Sequence, residues 1–246
     1  MNQGASIRFL FGVQHQGNSE AAYGGQSPSF QPQSLKSYWG QLFQLDQIRS
    51  FSVCNGQFFG GKEAIELAFP VRAKSGIFTS GYAGLSEFPH QKLLLGIQNQ
   101  TAEIVPFSEQ INFQQGTFFD EDMPYEDMPY EDMIVGIRAD GGTESITWYS
   151  KSPFQNRPRT FMGVADTNGN CRGTTVLILT STGQTQAGAA QVLQNFGATA
   201  VMMLDGGGST QLIVQGETLI PSMDGANGGD RNIPQAIGVI SGFAMF

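Results

Sequence analysis

Along this chain, short apolar runs broken by glycine, proline and asparagine outnumber stretches with a helical period. Residues 6–13 alternate and are rich in β-formers, which predicts a first strand. A polar Gly/Ser/Gln-rich loop follows over residues 14–33. Ser34 is placed to cap a short helix carrying Leu35, Tyr38, Trp39 and Leu42 on one face. Residues 47–54 read as a strand that runs into the turn signal Asn55-Gly56. From 65 to 107 the strand cores Val71, Ile77, Phe78, 93–97 and 104–107 predict an antiparallel meander. Strands resume at 134–138, 145–149, 159–164 and 174–180, joined by turns at Gly141-Gly142, Pro153 and Asn168-Gly169. The period then switches, because Ala189, Val192, Leu193 and Phe196 fall at i, i+3, i+4 and i+7; this predicts a helix over 184–196 closed by Gly197. An apolar strand over 198–204 ends at Asp205, three glycines turn the chain, and residues 210–214 form another strand.

This order predicts an α+β (mixed α/β) fold: one strand-rich domain over residues 1–246, with a mixed sheet and a few helices. Composition agrees with a globular, turn-rich chain, since 40% of its 246 residues are hydrophobic and it holds 19 Phe and 32 Gly. With 13 Lys+Arg against 21 Asp+Glu the formal charge is −8, which opposes long-range attraction to nucleic acid or anionic membranes. No apolar run approaches the ~20 residues of a membrane span. The N-terminus lacks a basic segment followed by an apolar one, so the expectation is a soluble protein, either cytoplasmic or exported with its leader absent from this chain. Cys54 and Cys171 are the only thiols, too few for a disulfide framework or a Cys-based zinc site; they read as one buried and one loop thiol. Oligomeric state is not encoded in these features.

Residues 120–133 are a tandem repeat of an acidic, Pro-punctuated five-residue unit, read as an insertion that forms neither helix nor central strand. One reading makes it a structural calcium or partner loop. The other makes it a duplicated, solvated surface segment.

A strand that delivers Asp205 and then Gly206, Gly207 and Gly208 presents a carboxylate at a strand end, beside backbone that a ligand can approach without Cβ obstruction. It is not a P-loop, since no Gly-Lys-Ser/Thr follows, nor a dinucleotide fingerprint, since the spacing differs and no helix opens there. Alone, it reads equally as a tight hairpin. Its company changes that: Cys54-Asn55-Gly56-Gln57-Phe58-Phe59, Arg157-Pro158-Arg159-Thr160-Phe161-Met162-Gly163, and Gly229-Asp230-Arg231-Asn232-Ile233-Pro234-Gln235-Ala236-Ile237-Gly238-Val239. In this order, with the Ala-rich helix before Leu204-Asp205-Gly206-Gly207-Gly208-Ser209, the set resembles the phosphodiester glycosidase family over roughly residues 47–246, most specifically over 202–214. The resemblance implies hydrolysis of the glycosidic bond of a sugar 1-phosphodiester, with a glycosyl-phosphate or polysaccharide-phosphate substrate. Gln57 and Gln235 depart from the family's usual small residues, which bears on substrate identity.

Such a reaction expels a phosphomonoester, which needs less protonation than an alcohol. Guanidinium groups match phosphate oxygens and stay charged, so Arg159 and Arg231 are candidates beside Asp205. Glycoside hydrolysis ordinarily uses two carboxylates. Glu63, Glu66, Asp224 and Asp230 are open choices for the second, with Asp230 favoured by its place next to Arg231. Asn55, Gly56, Thr160, Gly206, Gly207, Gly208 and Ser209 are the candidate substrate-binding positions. Phe58, Phe59 and Trp148 offer stacking faces, although core packing suits the two phenylalanines better. His15 and His90 belong to no motif, which argues against a serine nucleophile. No cofactor is required by this chemistry. Competing readings are a non-catalytic glycan- or glycophosphate-binding module, and a metal-dependent phosphodiesterase with Asp205 and the acidic repeat as oxygen ligands.

Overall fold

In chain order the elements begin with β1 (Ser6–Phe11), β2 (Gln14–His15), β3 (Ser29–Phe30), α1 (Leu35–Leu45), β4 (Ser50–Asn55), β5 (Phe59–Gly60), β6 (Glu66–Leu67), β7 (Val71–Arg72), β8 (Phe78–Thr79), β9 (Lys92–Gln98) and β10 (Thr101–Pro106). They continue with β11 (Ile111–Asn112), β12 (Thr117–Phe118), β13 (Asp132–Arg138), β14 (Arg157–Ala165), β15 (Thr175–Gln184), α2 (Gln186–Asn195), β16 (Ala198–Gly206), a 3-10 turn at Gly207–Ser209, β17 (Leu212–Val214), β18 (Glu217–Ile220) and β19 (Gln235–Ile240). These come from a computed structural model that describes residues 4–15, 28–60, 65–79, 81–82, 91–107, 111–112, 117–118, 130–139, 153–167, 169, 173–223 and 230–243. The expected strand at 145–149, the turn at Gly141-Gly142, and Glu63, His90, Trp148, Cys171 and Asp224 lie outside the described residues.

Two sheets dominate. The first has the order β1-β19-β4-β17-β18, and the second runs β10-β9-β13-β16-β14-β15, with β7 beside β13 and β8 beside β7. Every pairing in both is antiparallel. The α+β expectation with a mixed sheet is therefore overturned: the described chain is predominantly β. A strand–helix–strand order such as that of β15, α2 and β16 is the connection that can make two strands parallel neighbours. Those two strands do run the same way, but β14 lies between them and pairs antiparallel with each. The polar stretch 14–33 likewise contributes β2 and β3 to a small four-stranded sheet instead of a plain loop.

The sheets pack face to face. Phe9, Phe11, Cys54 and Ile237 from the first meet Leu93, Leu95, Ile134, Met162, Met202 and Leu204 from the second. α1 covers the outer face of the first sheet through Leu35, Tyr38 and Leu42, against Leu10, Val53 and Ile213. α2 covers the second through Ala189, Ala190 and Leu193, against Phe161 and Val201. Strands covered on both faces need apolar side chains on both, which is why β9 carries Leu93-Leu94-Leu95 without alternation.

Both helices form where the pattern placed them. Ser34 caps α1, its hydroxyl accepting from the Ser37 N–H at 3.2 Å. Thr185 does the same for α2 from the Gly188 N–H at 3.0 Å. Gly197 has φ of 92°, the left-handed conformation of a helix-ending glycine. The stripe on α2 is rotated from expectation, with Ala190 buried and Phe196 exposed, because Phe196 has already left the helical track as the C-cap.

The acidic repeat departs most from its expectation. Residues 120–129 lie outside the described residues, but the last unit is built into the second sheet, and Asp132 and Met133 begin the central strand β13. Met133 is fully buried, the Tyr130 ring occupies the space a Cβ on Gly96 would need, and its hydroxyl donates to Glu103 Oε1. Glu131 pairs with Lys74 at 2.9 Å. Asp132 Oδ1 accepts from the Lys74 N–H at 2.8 Å.

Burial pushes the Asp132 carboxyl above the ordinary carboxylate range, opposed by the Lys74 N–H and the Arg8 and Lys74 charges and reinforced by Glu131. A raised folded-state pKa means the folded protein holds this proton more tightly than the unfolded chain. That contribution is present below the ordinary carboxylate pKa and fades as pH rises through the folded value. Asp132→Asn keeps the acceptor and removes the charge. It is expected to raise the melting temperature at neutral pH, with a gain over the wild type that shrinks as pH falls through the raised folded value and is gone below the ordinary carboxylate pKa of about 3.9. A pH-independent difference in thermal scans would refute this.

Candidate functional site

The site forms where the ends of β4, β14 and β16 meet at the junction of the two sheets. The β14–β16 register runs from Phe161 opposite Met203 to Arg159 opposite Gly206. One residue on β14, Thr160, thus lies opposite two on β16, a bulge at Leu204-Asp205 of the kind that re-aims a side chain. Its cause is visible in the hydrogen bonds. The Asp205 N–H donates to Gly56 O at 3.0 Å and the Asp205 carbonyl accepts from Asn55 Nδ2 at 2.7 Å. The main chain of Asp205 is thereby drawn toward the end of β4 in the other sheet.

Asn55 is 1% exposed and joins three elements. Its Oδ1 accepts from Thr160 Oγ1 at 2.6 Å and from the Gln211 N–H at 3.3 Å, while its Nδ2 holds Asp205. Thr160 is fully buried as well. Both candidates sit behind the site surface, committed to each other.

Two of the three glycines are needed, for different reasons. Gly207 has φ of 64°, where other residues are strained, and a Cβ there would meet nothing within 4 Å. Gly206 is extended, and a Cβ on it would stand 2.8 Å from Pro158 O, so close strand approach selects glycine. Gly208 O accepts from Ser222 Oγ at 2.7 Å. Ser209 is buried, and its carbonyl accepts from Gln211 Nε2 at 3.4 Å. The same Nε2 donates to Arg231 O at 2.9 Å, tying the segment before β19 to the turn.

Arg159 is 3% exposed and directs Nη1 to 3.0 Å from Met203 Sδ. Desolvation and then the neighbouring Arg157 charge lower its pKa, so this cation sits in surroundings that favour an arriving negative charge. The Arg231 guanidinium lies 5.4 Å from the centroid of the Phe59 ring, a cation–π arrangement. Asp230 is exposed and Glu66 half-buried in β6. Phe58 packs edge-on against Phe69 at 5.7 Å in the core, whereas Phe59 carries Arg231. Burial pushes the Cys54 thiol up to about 12, which leaves it no role as a nucleophile. Among the described residues no cluster of three or more His, Cys, Asp or Glu is arranged to hold a metal ion.

Gln57 and Gln235, the two departures from the family pattern, touch each other: the Gln57 N–H donates to Gln235 Oε1 at 2.7 Å. Each is 1% exposed. Gln57 Nε2 then reaches Val135 O at 2.6 Å, linking the segment that follows β4 to β13. The pair braces the site from behind. It also dictates Gly56, since a Cβ there would stand 1.8 Å from Gln235 Oε1. Gly56→Ala is expected to cost about 1–3 kcal/mol. Because the clash is with that one side chain, Gly56→Ala/Gln235→Ala should be no less stable than Gln235→Ala in denaturant titrations. Additive losses would refute the shared-space account.

Sequence reasoning missed Gln211, whose backbone and side chain bond Asn55, Ser209 and Arg231. A lone glutamine beginning a strand gives no pattern to find. The bulge was equally invisible, because an extra residue changes no composition.

A family model for phosphodiester glycosidase matches residues 91–240. The fold is similar to that of the zebrafish N-acetylglucosamine-1-phosphodiester alpha-N-acetylglucosaminidase catalytic domain, auto-inhibited by its pro-peptide, with TM-score 0.58 and 13% identity over 97% of this chain and 83% of that one. It is also similar to a Burkholderia pseudomallei protein described as exported, with TM-score 0.55 and 12% identity over 96% of this chain and 71% of that one. No curated protein sequence matches the chain. At these identities the structural likenesses bear on fold alone. No helix among the described residues is long and apolar enough to cross a membrane.

Proposed function

Because the chain belongs to the phosphodiester glycosidase family, whose model spans 150 of its 246 residues (91–240), we propose that it hydrolyses the glycosidic bond of a sugar 1-phosphodiester. The observation that carries this reading is the bulge that sets Asp205 at the sheet junction, with the buried Arg159 on the paired strand. Water attacks the anomeric carbon and the C1–O bond breaks, its electron pair leaving on the bridging oxygen of a phosphomonoester. Asp205 faces the positive charge that grows on the sugar and takes the proton of the attacking water. Arg159 and Arg231 neutralise the departing phosphate, which removes most of the need for a separate acid. The backbone of Gly206, Gly207, Gly208 and Ser209 supports the reading as a wall open to sugar or phosphate, with Asp230 next to Arg231 as the candidate second carboxylate. The chemistry calls for no cofactor.

The test is hydrolysis of the methyl phosphodiester of N-acetylglucosamine 1-phosphate and of UDP-N-acetylglucosamine in oxygen-18 water. Label is expected in the free sugar. Label in the phosphate instead would assign P–O cleavage and overturn the proposal, as would the absence of turnover across a broad panel of glycosyl phosphodiesters.

A further inference from the structure

We propose that Asn55 is a positioning residue for Asp205, a buried strut whose amide fixes the peptide that carries the carboxylate. This rests on the reading of Asp205 given above. At 1% exposure Asn55 is screened from a bound substrate, so its effect must pass through what it holds. Its orientation admits no reversal. The Gln211 N–H can only donate and the Asp205 carbonyl can only accept. Turning the amide over would set Oδ1 against the Asp205 oxygen and the Nδ2 hydrogens against the Gln211 N–H. Thr160 Oγ1, at 2.6 Å from Oδ1, locks the acceptor end from β14.

Asp205 is sensitive to this strut because it has left its own ladder. In the bulge its two main-chain groups bond to Gly56 and Asn55 of the other sheet, and of those partners only Asn55 uses a side chain. The Asn55 amide, made rigid by one hydroxyl and one N–H, therefore helps set the peptide from which the carboxylate projects. Aspartate at position 55 would keep the shape and lose the donor while ionised. When protonated it regains an O–H that can donate to the Asp205 carbonyl.

The probes are the methyl phosphodiester of N-acetylglucosamine 1-phosphate and UDP-N-acetylglucosamine. Asn55→Asp is expected to lower kcat by about 10²-fold, the scale of a roughly 1 Å misplacement, with little change in KM. The deficit should shrink as pH falls and the new carboxyl protonates. Thr160→Val, which preserves shape, should lower kcat less, and the double variant should be no worse than Asn55→Asp. A folded Asn55→Asp enzyme with wild-type kcat, or a loss confined to KM, would overturn the proposal. Absence of turnover by the wild type would instead count against the hydrolase reading. The strut is then decided by carboxyl carbon-13 titration of Asp205, assigned through its loss in Asp205→Asn. The titration is expected to move in Thr160→Val and Asn55→Ala, and an unmoved curve in both overturns the proposal whether or not either probe is cleaved.

Discussion

Asp205→Asn is expected to lower kcat by about 10²–10⁴-fold, the range for removing a positioned proton-transfer group, while leaving the fold intact. The structure makes this substitution unusually clean. Two bonds that seat Asp205 between the sheets, its N–H to Gly56 and its carbonyl to Asn55 Nδ2, belong to the main chain. Asparagine is nearly isosteric and keeps both, so thermal melting should be almost unchanged while turnover collapses. Single-turnover release of sugar from the methyl phosphodiester of N-acetylglucosamine 1-phosphate separates chemistry from binding. A variant that retains wild-type kcat would remove Asp205 from the mechanism.

Arg159→Lys is the second large effect. The substitution conserves charge, yet lysine lacks the planar fork that meets two phosphate oxygens at once, and its ammonium is more strongly hydrated. Buried beside Met203 and depressed in pKa by its surroundings, a cation at this position is worth most when an anion arrives. A loss of about 10²-fold in kcat/KM is expected, on the scale of removing one preorganised donor from developing charge. Competitive inhibition by inorganic phosphate should weaken in parallel. Unchanged phosphate inhibition would mean that Arg159 serves the fold alone.

The sequence by itself determined a good deal. Local chemistry declared the helix at Leu35–Leu45, through the Ser34 cap and the spacing of Leu35, Tyr38 and Leu42, and the helix ended by Gly197. Alternation and breakers located most strands, and the order of the Asn55, Arg159, Asp205 and Arg231 motifs carried the family. Caps, periods and turns are set by residues a few positions apart, so they are legible along the chain. Sheet order is not, because it depends on which distant strands exclude water together. Only the tertiary structure put β14 between β15 and β16 and so made a sheet expected to be mixed wholly antiparallel. The same holds for the last unit of the acidic repeat. Its charge pattern reads as solvated, yet the pocket over Gly96 and the Lys74 partner draw it into β13. At the site, the sequence supplied the side chains, but Asn55 and Thr160, read there as substrate contacts, are bonded to each other, and Asn55 also to the main chain of Asp205. Their separations of 150 and 105 residues close only when the two sheets pack. A hydrogen bond between sheets leaves no periodicity behind, which is why the bulge that sets Asp205 belonged to the tertiary structure.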